Sequence, residues 1–269
     1  MPAFDDLIPA LAGRPRGAAC ALAAALLLGS AGTAAQGAPP RLPFAPGEAC
    51  VYRGSNALGR IGTGTMAVEA AEEVGGRPTY LLRFDFCGRV GVFGVEDRTR
   101  SWFDPASLAS TRFARRERSP ISSRDESVRM DAAAGRWEGA GGSGGAMATD
   151  APLDELSFIY YVRTLRLADG DSYSLARHYE AGRNPVTVRV MGRERTTVPA
   201  GSFRTVHVEM RVKDPVRYRG EGVIHLHLTD DARRVLVRME SSIPRAGRMV
   251  LSLQSGTEGC DAARLARAD

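Results

Sequence analysis

Between Val186 and Val212 the chain reads V-T-V-R-V-M-G-R-E-R-T-T-V-P-A-G-S-F-R-T-V-H-V-E-M-R-V. Val186, Val188 and Val190 alternate with Thr187 and Arg189. After Pro199-Ala200-Gly201 the alternation resumes, with Val206, Val208, Met210 and Val212 set against Thr205, His207, Glu209 and Arg211. A period of two predicts a β-hairpin with one dry and one wet face. Proline fixes φ at the entry of the turn and glycine permits a positive φ after it, so the chain reverses there and both apolar stripes face one core.

The same period recurs along the chain. It places Met66 and Val68 on one dry face, and Tyr80, Leu82, Phe84 and Phe86 on the next. Further strands follow at Val92 to Phe103, at Val128 and Met130, at Ile224 to Leu228, at Val235 to Met239 and at Met249 to Leu253. Gly75-Gly76, Asp104-Pro105 and Asp230-Asp231 read as turns, and Gly139 to Gly145 as a flexible loop. One stretch has helical character instead. Asp150 is placed to cap it, Pro152 suits its first turn, Asp154 and Glu155 complement the dipole, and Leu153 to Leu165 is apolar over more than one stripe. The expected fold is all-β: a curved antiparallel sheet or β-barrel of about ten strands, with this mid-chain helix packed on or in it. Dry-face residues from the whole chain, among them Val188, Val208, Leu226, Val237, Met239 and Leu251, should converge on one interior that the helix covers.

The first residues follow another rule. Arg14 and Arg16 precede an apolar run from Ala18 to Leu28, and Thr33-Ala34-Ala35 fits a small-x-small cleavage site. The run is about half of the roughly 20 residues a membrane-spanning helix needs. The expected organisation is a signal peptide over 1–35, a Pro-rich linker over 36–46, a single β domain over 47–260 and a C-terminal tail over 261–269. The processed chain would be periplasmic or secreted, with no transmembrane span. Its cysteines are then Cys50, Cys87 and Cys260, without a C-x-x-C pair. In an oxidising compartment a disulfide is favoured over a metal site. Cys50 and Cys260 meet if the first and last strands pair, and Cys50 with Cys87 is the alternative if they do not.

Charge adds little. The formal net charge is +5, but 35 of the 36 basic residues are arginines scattered along the chain and Lys213 is the one lysine. The dense run from Arg112 to Arg118 has Phe113 as its only aromatic, so it lacks the stacking platform of single-strand binding and no nucleic acid is expected as a partner.

Candidate chemistry is sparse. Gly141-Gly142-Ser143-Gly144-Gly145 matches G-x-S-x-G without the strand and helix that a nucleophile elbow requires. His225 and His227 share a strand face, and folding the chain about Val216 sets His207 opposite His225 with Glu209 nearby. Three imidazoles and a carboxylate can bind zinc or copper, although the same residues read as solvated polar positions. Asp97, on the face of Phe93 and Val95, is expected in a structural ion pair with an arginine. Tyr80, Phe84, Phe86, Phe158, Tyr160 and Tyr161 are the candidate lining of a ligand cavity, or ordinary core. No catalytic residue and no cofactor emerge.

Six segments in order carry a resemblance: P-F-A-P-G-E (Pro43 to Glu48), F-G-V-E-D-R (Phe93 to Arg98), L-S-F-I-Y-Y-V-R-T-L (Leu156 to Leu165), Gly170-Asp171, G-R-E-R-T-T-V-P-A-G-S-F (Gly192 to Phe203) and L-T-D-D-A-R-R (Leu228 to Arg234). Together they resemble the DUF3108 family of exported bacterial proteins, across nearly all of the processed chain. The resemblance implies an antiparallel β architecture in the cell envelope and brings no established activity. Where the family often has tryptophan, before the Leu-Thr-Asp-Asp turn, this chain has His227. The functional expectation is a non-catalytic binding module for an apolar or lipid-like ligand. An assembly factor with an envelope protein partner is the alternative, and a hydrolase comes third.

Overall fold

The computed structural model describes residues 41–74, 76–119, 122–214, 220–243 and 247–256. The expected signal peptide, Cys260 and the expected tail lie outside the described residues. Alternation produces strands β1 (Ala49–Asn56), β2 (Gly59–Val74), β3 (Arg77–Val90), β4 (Phe93–Asp104), β5 (Ala109–Ser119), β6 (Ser122–Asp131), β7 (Arg136–Gly139) and β8 (Gly144–Ala146). After helix α1 (Glu155–Val162) come β9 (Ser172–Leu175), β10 (Val186–Val198), β11 (Gly201–Asp214), β12 (Gly220–Thr229), β13 (Leu236–Ile243) and β14 (Gly247–Gly256).

All fourteen form one sheet in the order β8-β7-β6-β5-β4-β3-β2-β1-β14-β13-β12-β11-β10-β9. Each neighbouring pair is antiparallel, and β1 against β14 joins the two ends of the chain in the middle of the sheet. The open edges are thus β8 and β9, which α1 connects in sequence. Among the described residues the fold is all-β with one α-helix, as expected, but it has fourteen strands rather than about ten, and its ladder does not close. The additional strands β5, β7, β8 and β9 lie in Arg-, Gly- and Ser-rich stretches. Backbone ladders need no apolar side chain, so period-two reading passes over such strands. Within the supposed loop Gly139 to Gly145, a short 3-10 turn at Ala140–Gly142 links β7 to β8.

The central hairpin is β10 and β11, joined by a two-residue turn at Pro199-Ala200. Val198 pairs with Gly201, which holds φ at +138°. Val186, Val188, Val190, Val206, Val208 and Met210 are all buried, while Thr187, Arg189 and Arg211 face water. The tightest approach between strands lies elsewhere. Gly62 sits opposite Gly88, and a Cβ on Gly88 would lie 2.0 Å from the Ile61 carbonyl oxygen, so no other residue admits that approach of β2 to β3.

Helix α1 begins one turn later than Asp150 would place it. Asp154 is the N-cap: its Oδ1 accepts from Leu156 N at 3.0 Å and Ser157 N at 2.9 Å, and the Ser157 hydroxyl accepts from Asp154 N at 2.8 Å. This is a reciprocal capping box. The second carboxylate oxygen of Asp154 accepts from Ser101 Oγ at 2.6 Å, tying the helix start to β4. Leu156, Phe158, Ile159, Tyr160 and Val162 are buried, as the all-round apolar pattern requires.

At the other end of α1, Arg163 is 3% exposed. Its guanidinium donates to Glu48 Oε1 at 2.6 Å and Oε2 at 2.8 Å, to the Pro43 carbonyl at 3.1 Å and to the Arg233 carbonyl at 3.0 Å. Burial works against the charge, yet Glu48 outweighs it and raises the Arg163 pKa. Phe44 packs edge-on against Tyr160 at 5.0 Å and is itself buried. Residues 41–46, expected as linker, are therefore part of the packed domain. Their Pro-rich sequence forms a bent entry segment, closed by a turn at Pro46-Gly47, rather than a tether.

Cys87 is exposed and free, and Cys50 is buried. Cys50 pairs with Gly256 across β1 and β14, four residues before Cys260. This register favours the Cys50 to Cys260 disulfide, and peptide mapping of unreduced protein should recover these two linked and Cys87 alkylated.

Glu48→Ala leaves the buried Arg163 charge without its carboxylate and should cost about 3–5 kcal/mol of stability in urea denaturation. The double variant Glu48→Leu with Arg163→Met should lose clearly less. Equal losses would show that the pair is not held as a buried ionic contact. On the hairpin, Val208→Asp should unfold the domain, whereas Glu209→Lys, at a half-buried position ion-paired with Arg211, should shift stability by no more than about 1 kcal/mol.

Candidate functional site

The inner face of the sheet and the flank of α1 enclose a cavity of about 210 Å³. Its walls come from both halves of the sheet, Met66 and Phe84 from β2 and β3, and Met210, Ile224, Met239 and Met249 from β11 to β14. Helix α1 contributes Leu156, Phe158 and Ile159. Four methionines among these residues give the apolar wall deformable side chains.

The opposite end is charged and tightly paired. Asp97 on β4 forms an ion pair with Arg115 on β5 and accepts from Thr99 Oγ1 at 2.6 Å, the structural pair expected of it. Arg183, in the 3-10 turn before β10, reaches Glu155 at 2.5 Å, Glu180 at 3.1 Å and Asp214 at 3.1 Å. Burial would raise the Glu155 pKa, but Arg183, His178 and Arg115 outweigh it and hold the carboxyl down to about 2.

His178 stacks between Phe158 and Tyr179 and is 4% exposed. Burial pushes its pKa down to about 4, so the ring is neutral at physiological pH. Its Nδ1 accepts from Glu180 N at 3.0 Å, which places the ring proton on Nε2. That Nε2–H, the Glu155 Oε2 and the Arg115 Nε are buried at this cavity without a hydrogen-bond partner among the described residues. The cavity thus pairs an apolar wall with a polar end at which His178 and Glu155 each keep one buried, unpartnered polar atom among the described residues.

Of the six aromatic candidates, Phe84 and Phe158 line the cavity. Phe86 is buried against Gly54, and Tyr80 packs toward Phe44. Tyr160 lies beneath the Arg163 guanidinium and Tyr161 beneath that of Arg177. Sequence reading missed Glu155, His178 and Arg183, which lie outside alternating segments and meet only through the fold. A larger depression of about 510 Å³ is lined by Arg41, Arg193, Asp230 and Arg234, of which Arg193 pairs with Asp230 and Arg234 donates to the Arg163 carbonyl.

The histidines gather on the outer sheet face, in a register two residues away from the expected one. His207 is opposite His227, and Glu209 is opposite His225. The expected pairing centred the reversal on Val216, while the ladder is symmetric about a later point. His207 stacks on His227 with ring centroids 4.5 Å apart, and its Nε2 is 2.9 Å from His225 Nδ1. Glu194 on β10, not foreseen, brings Oε1 to 2.8 Å from His227 Nδ1. Burial, with help from the neighbouring imidazoles, lowers the pKa of both His207 and His227. Ser143 of the glycine run is exposed and donates to the Ala140 carbonyl, 3.2 Å away.

The sequence model of the family described as "Protein of unknown function (DUF3108)" matches residues 51–254, and the chain belongs to that family. A search of curated proteins finds no match. Among solved structures, a β-barrel-like protein of the DUF1849 domain from Brucella abortus is 8% identical, covers 78% of this chain and 96% of its own, and superposes with a TM-score of 0.52. The likeness extends to the fold alone. A protein from Bacteroides fragilis described as exported, with a YmcC-like fold, is 13% identical over 81% of this chain and 98% of its own, with a TM-score of 0.35. A protein described as a lipoprotein from Parabacteroides distasonis is 12% identical over 80% and 97%, with a TM-score of 0.31. No helix among the described residues is long and apolar enough to cross a membrane.

Burial raises the Asp154 pKa from 3.8 to about 6, with its hydrogen bonds from Ser101 and Ser157 working the other way. The folded carboxyl therefore binds a proton that the unfolded one has lost, and this group makes stability fall as pH rises from about 4 to 6. His178 acts in the opposite sense, its contribution being lost as pH falls from about 6.5 to 4. Asp154→Asn should remove the first effect. Its unfolding free energy relative to the parent chain should climb by on the order of 2–3 kcal/mol between pH 4 and 6. Parallel pH profiles for the two proteins would contradict this.

Proposed function

We propose that this member of the DUF3108 family is an exported, non-catalytic binding module of the cell envelope that holds an amphiphile in its inner cavity, apolar tail against the methionines and an uncharged, hydroxyl-bearing head toward His178 and Glu155. The observation that carries the reading is the composition of that one cavity. Met66, Phe84, Met210, Ile224, Met239 and Met249 offer a tail no polar partner, while the buried Nε2–H of His178 and Oε2 of Glu155, without partners among the described residues, supply a head with a donor and an acceptor once the side chains turn toward it. A volume of about 210 Å³ exceeds the roughly 150 Å³ that accommodates benzene but is below the roughly 300 Å³ of ordinary ligand pockets. It therefore fits part of an acyl chain, with methionine rotamers yielding for the rest.

The buried polar groups beside α1 support a non-catalytic role. Asp154 is occupied by Ser101 and the helix N-terminus, and Asp97 by Arg115 and Thr99. Neither is poised as a base toward a nucleophile. Residues 1–35 would direct export, leaving a periplasmic chain that begins near Gln36.

A second reading, docking of an envelope protein partner, draws on Leu58, Val92 and Phe93. These large apolar side chains are exposed at the tips of the β1–β2 and β3–β4 hairpins, which antiparallel order places at the same rim.

Native mass spectrometry of protein purified from the periplasm, followed by extraction and lipid analysis, should find a co-purifying amphiphile. Phe84→Trp should change its emission on addition of a monoacylglycerol, and Ile159→Trp, which fills the cavity, should abolish that response while circular dichroism shows both variants folded. A folded Phe84→Trp protein that responds to no acyl ligand, and carries none, would shift the balance to partner docking.

A further inference from the structure

The inner cavity leaves the outer face of the sheet unaccounted for, and there four chemistry-bearing side chains converge from three strands. His207 on β11 stands directly opposite His227 on β12. Opposed residues of an antiparallel pair carry their side chains on one face with Cβ atoms about 5 Å apart. His225 is two residues before His227 and so shares its face. Glu194 reaches the same point from β10. The nearest ligand atoms of Glu194, His207 and His227 all lie within 4.8 Å of one another, and His207 Nε2 is 2.9 Å from His225 Nδ1.

We propose that Glu194, His207 and His227, with His225 as the fourth ligand, form a binding site for a divalent transition-metal ion of the zinc type on the outer face of β10, β11 and β12. A tetrahedral ion with bonds of about 2.0–2.1 Å holds its ligand atoms about 3.4 Å apart. The contacts at 2.8 Å and 2.9 Å are about 0.5 Å inside that separation and the 4.8 Å limit is about 1.4 Å outside it. Side-chain rotation supplies the difference. The present stack of His207 on His227 opens so that both lone pairs point at one centre, and no strand has to move. The backbone ladder, with ten paired positions between β11 and β12, keeps the three imidazoles in register.

The surroundings support the ligands. His227 is 7% exposed, and Thr196 Oγ1 lies 3.4 Å from its Nδ1 and 2.7 Å from Thr205 Oγ1, so the ring is packed among hydroxyls rather than free in solvent. Glu240 and Arg238 lie alongside on β13, bonded to one another at 2.7 Å. Three imidazoles and one carboxylate, without thiolate, suit zinc and copper(II) and exclude magnesium and calcium, which require oxygen ligands. Copper(II) should bind more tightly than zinc, following the general order of affinities.

The test is competition with a chromogenic zinc chelator on the processed chain at pH 7.5. Zinc should bind one ion per chain with a Kd of about 10 µM or tighter. His207→Gln and Glu194→Gln should each weaken it about 10-fold or more, and His207→Gln combined with His227→Gln should abolish it. Glu138→Gln, exposed on β7 and remote from the ligand set, should leave affinity unchanged. Cobalt(II) should give the visible absorption of a four-coordinate ion, lost in His207→Gln. His227 is buried and its variants can misfold, so His207→Gln, at a half-exposed position, keeps the test decisive. Absence of zinc binding below about 100 µM, or equal affinity in the parent and in His207→Gln, would overturn the proposal.

Discussion

A guanidinium taken wholly out of water sets the terms for the rest of this fold. Arg163 has to recover several kcal/mol of lost hydration, and it does so only where Glu48 and the carbonyls of Pro43 and Arg233 are all within reach. These partners come from the chain entry before β1 and from the turn before β13, while Arg163 itself ends α1. One ionic contact therefore joins three segments far apart in sequence. Arg234 adds a second tie by donating to the Arg163 and Leu165 carbonyls at the helix C-terminus, where the dipole favours a cation. Asp154 does the corresponding work at the helix N-terminus through Ser101 of β4. Pinned at both ends by polar groups, α1 is a fixed strut inside the curl, not an apolar plug free to slide.

With the helix held, the sheet has a surface to wrap. Its two wings meet at β1 and β14 and bend toward α1, which lets side chains as far apart in the sheet as Arg115 on β5 and Val186 on β10 line one cavity. The segment around His178 and Tyr179, which follows β9, reaches across to the wing made by β5, β6 and β7. There Tyr179 packs with Trp137 and Phe113 in a small second core. The same segment provides the polar end of the cavity, so closing the fold and shaping the site depend on one stretch of irregular backbone.

The two faces of the sheet have separated their chemistry. The inner face joins methionines and aromatics to carboxylates and arginines held in ion pairs, Asp97 with Arg115 and Glu155 with Arg183. The outer face of β10 to β12 gathers imidazoles and Glu194 instead. A carrier for an amphiphile and a surface site for a metal ion can coexist here, since the strand that separates them alternates its side chains between the two sides.

Much of the architecture was legible in the sequence, because burial is written in periods. Val186, Val188 and Val190 alternate since one side of a strand faces a core, and the all-round apolar run from Leu156 to Val162 marks a helix enclosed by a sheet. The segments P-F-A-P-G-E and L-S-F-I-Y-Y-V-R were recognisable as family features, but nothing in their linear order says that Glu48 and Arg163 bond, because a contact across 115 residues leaves no local period. The strands in Arg-, Gly- and Ser-rich stretches were hidden for the related reason that a ladder is made by backbone groups. Register was the hardest quantity to read. A reversal placed one residue away shifts every cross-strand partner by two, which is how His227 rather than His225 came to face His207, and how Glu194 entered the cluster. The sequence alone determined the strand-rich class, the dry faces and the buried helix, all of which follow from local periodicity. Which charged groups meet in the cavity and which imidazoles share a point on the outer face were decided only by tertiary structure, because both depend on the register and curvature of strands distant in the chain.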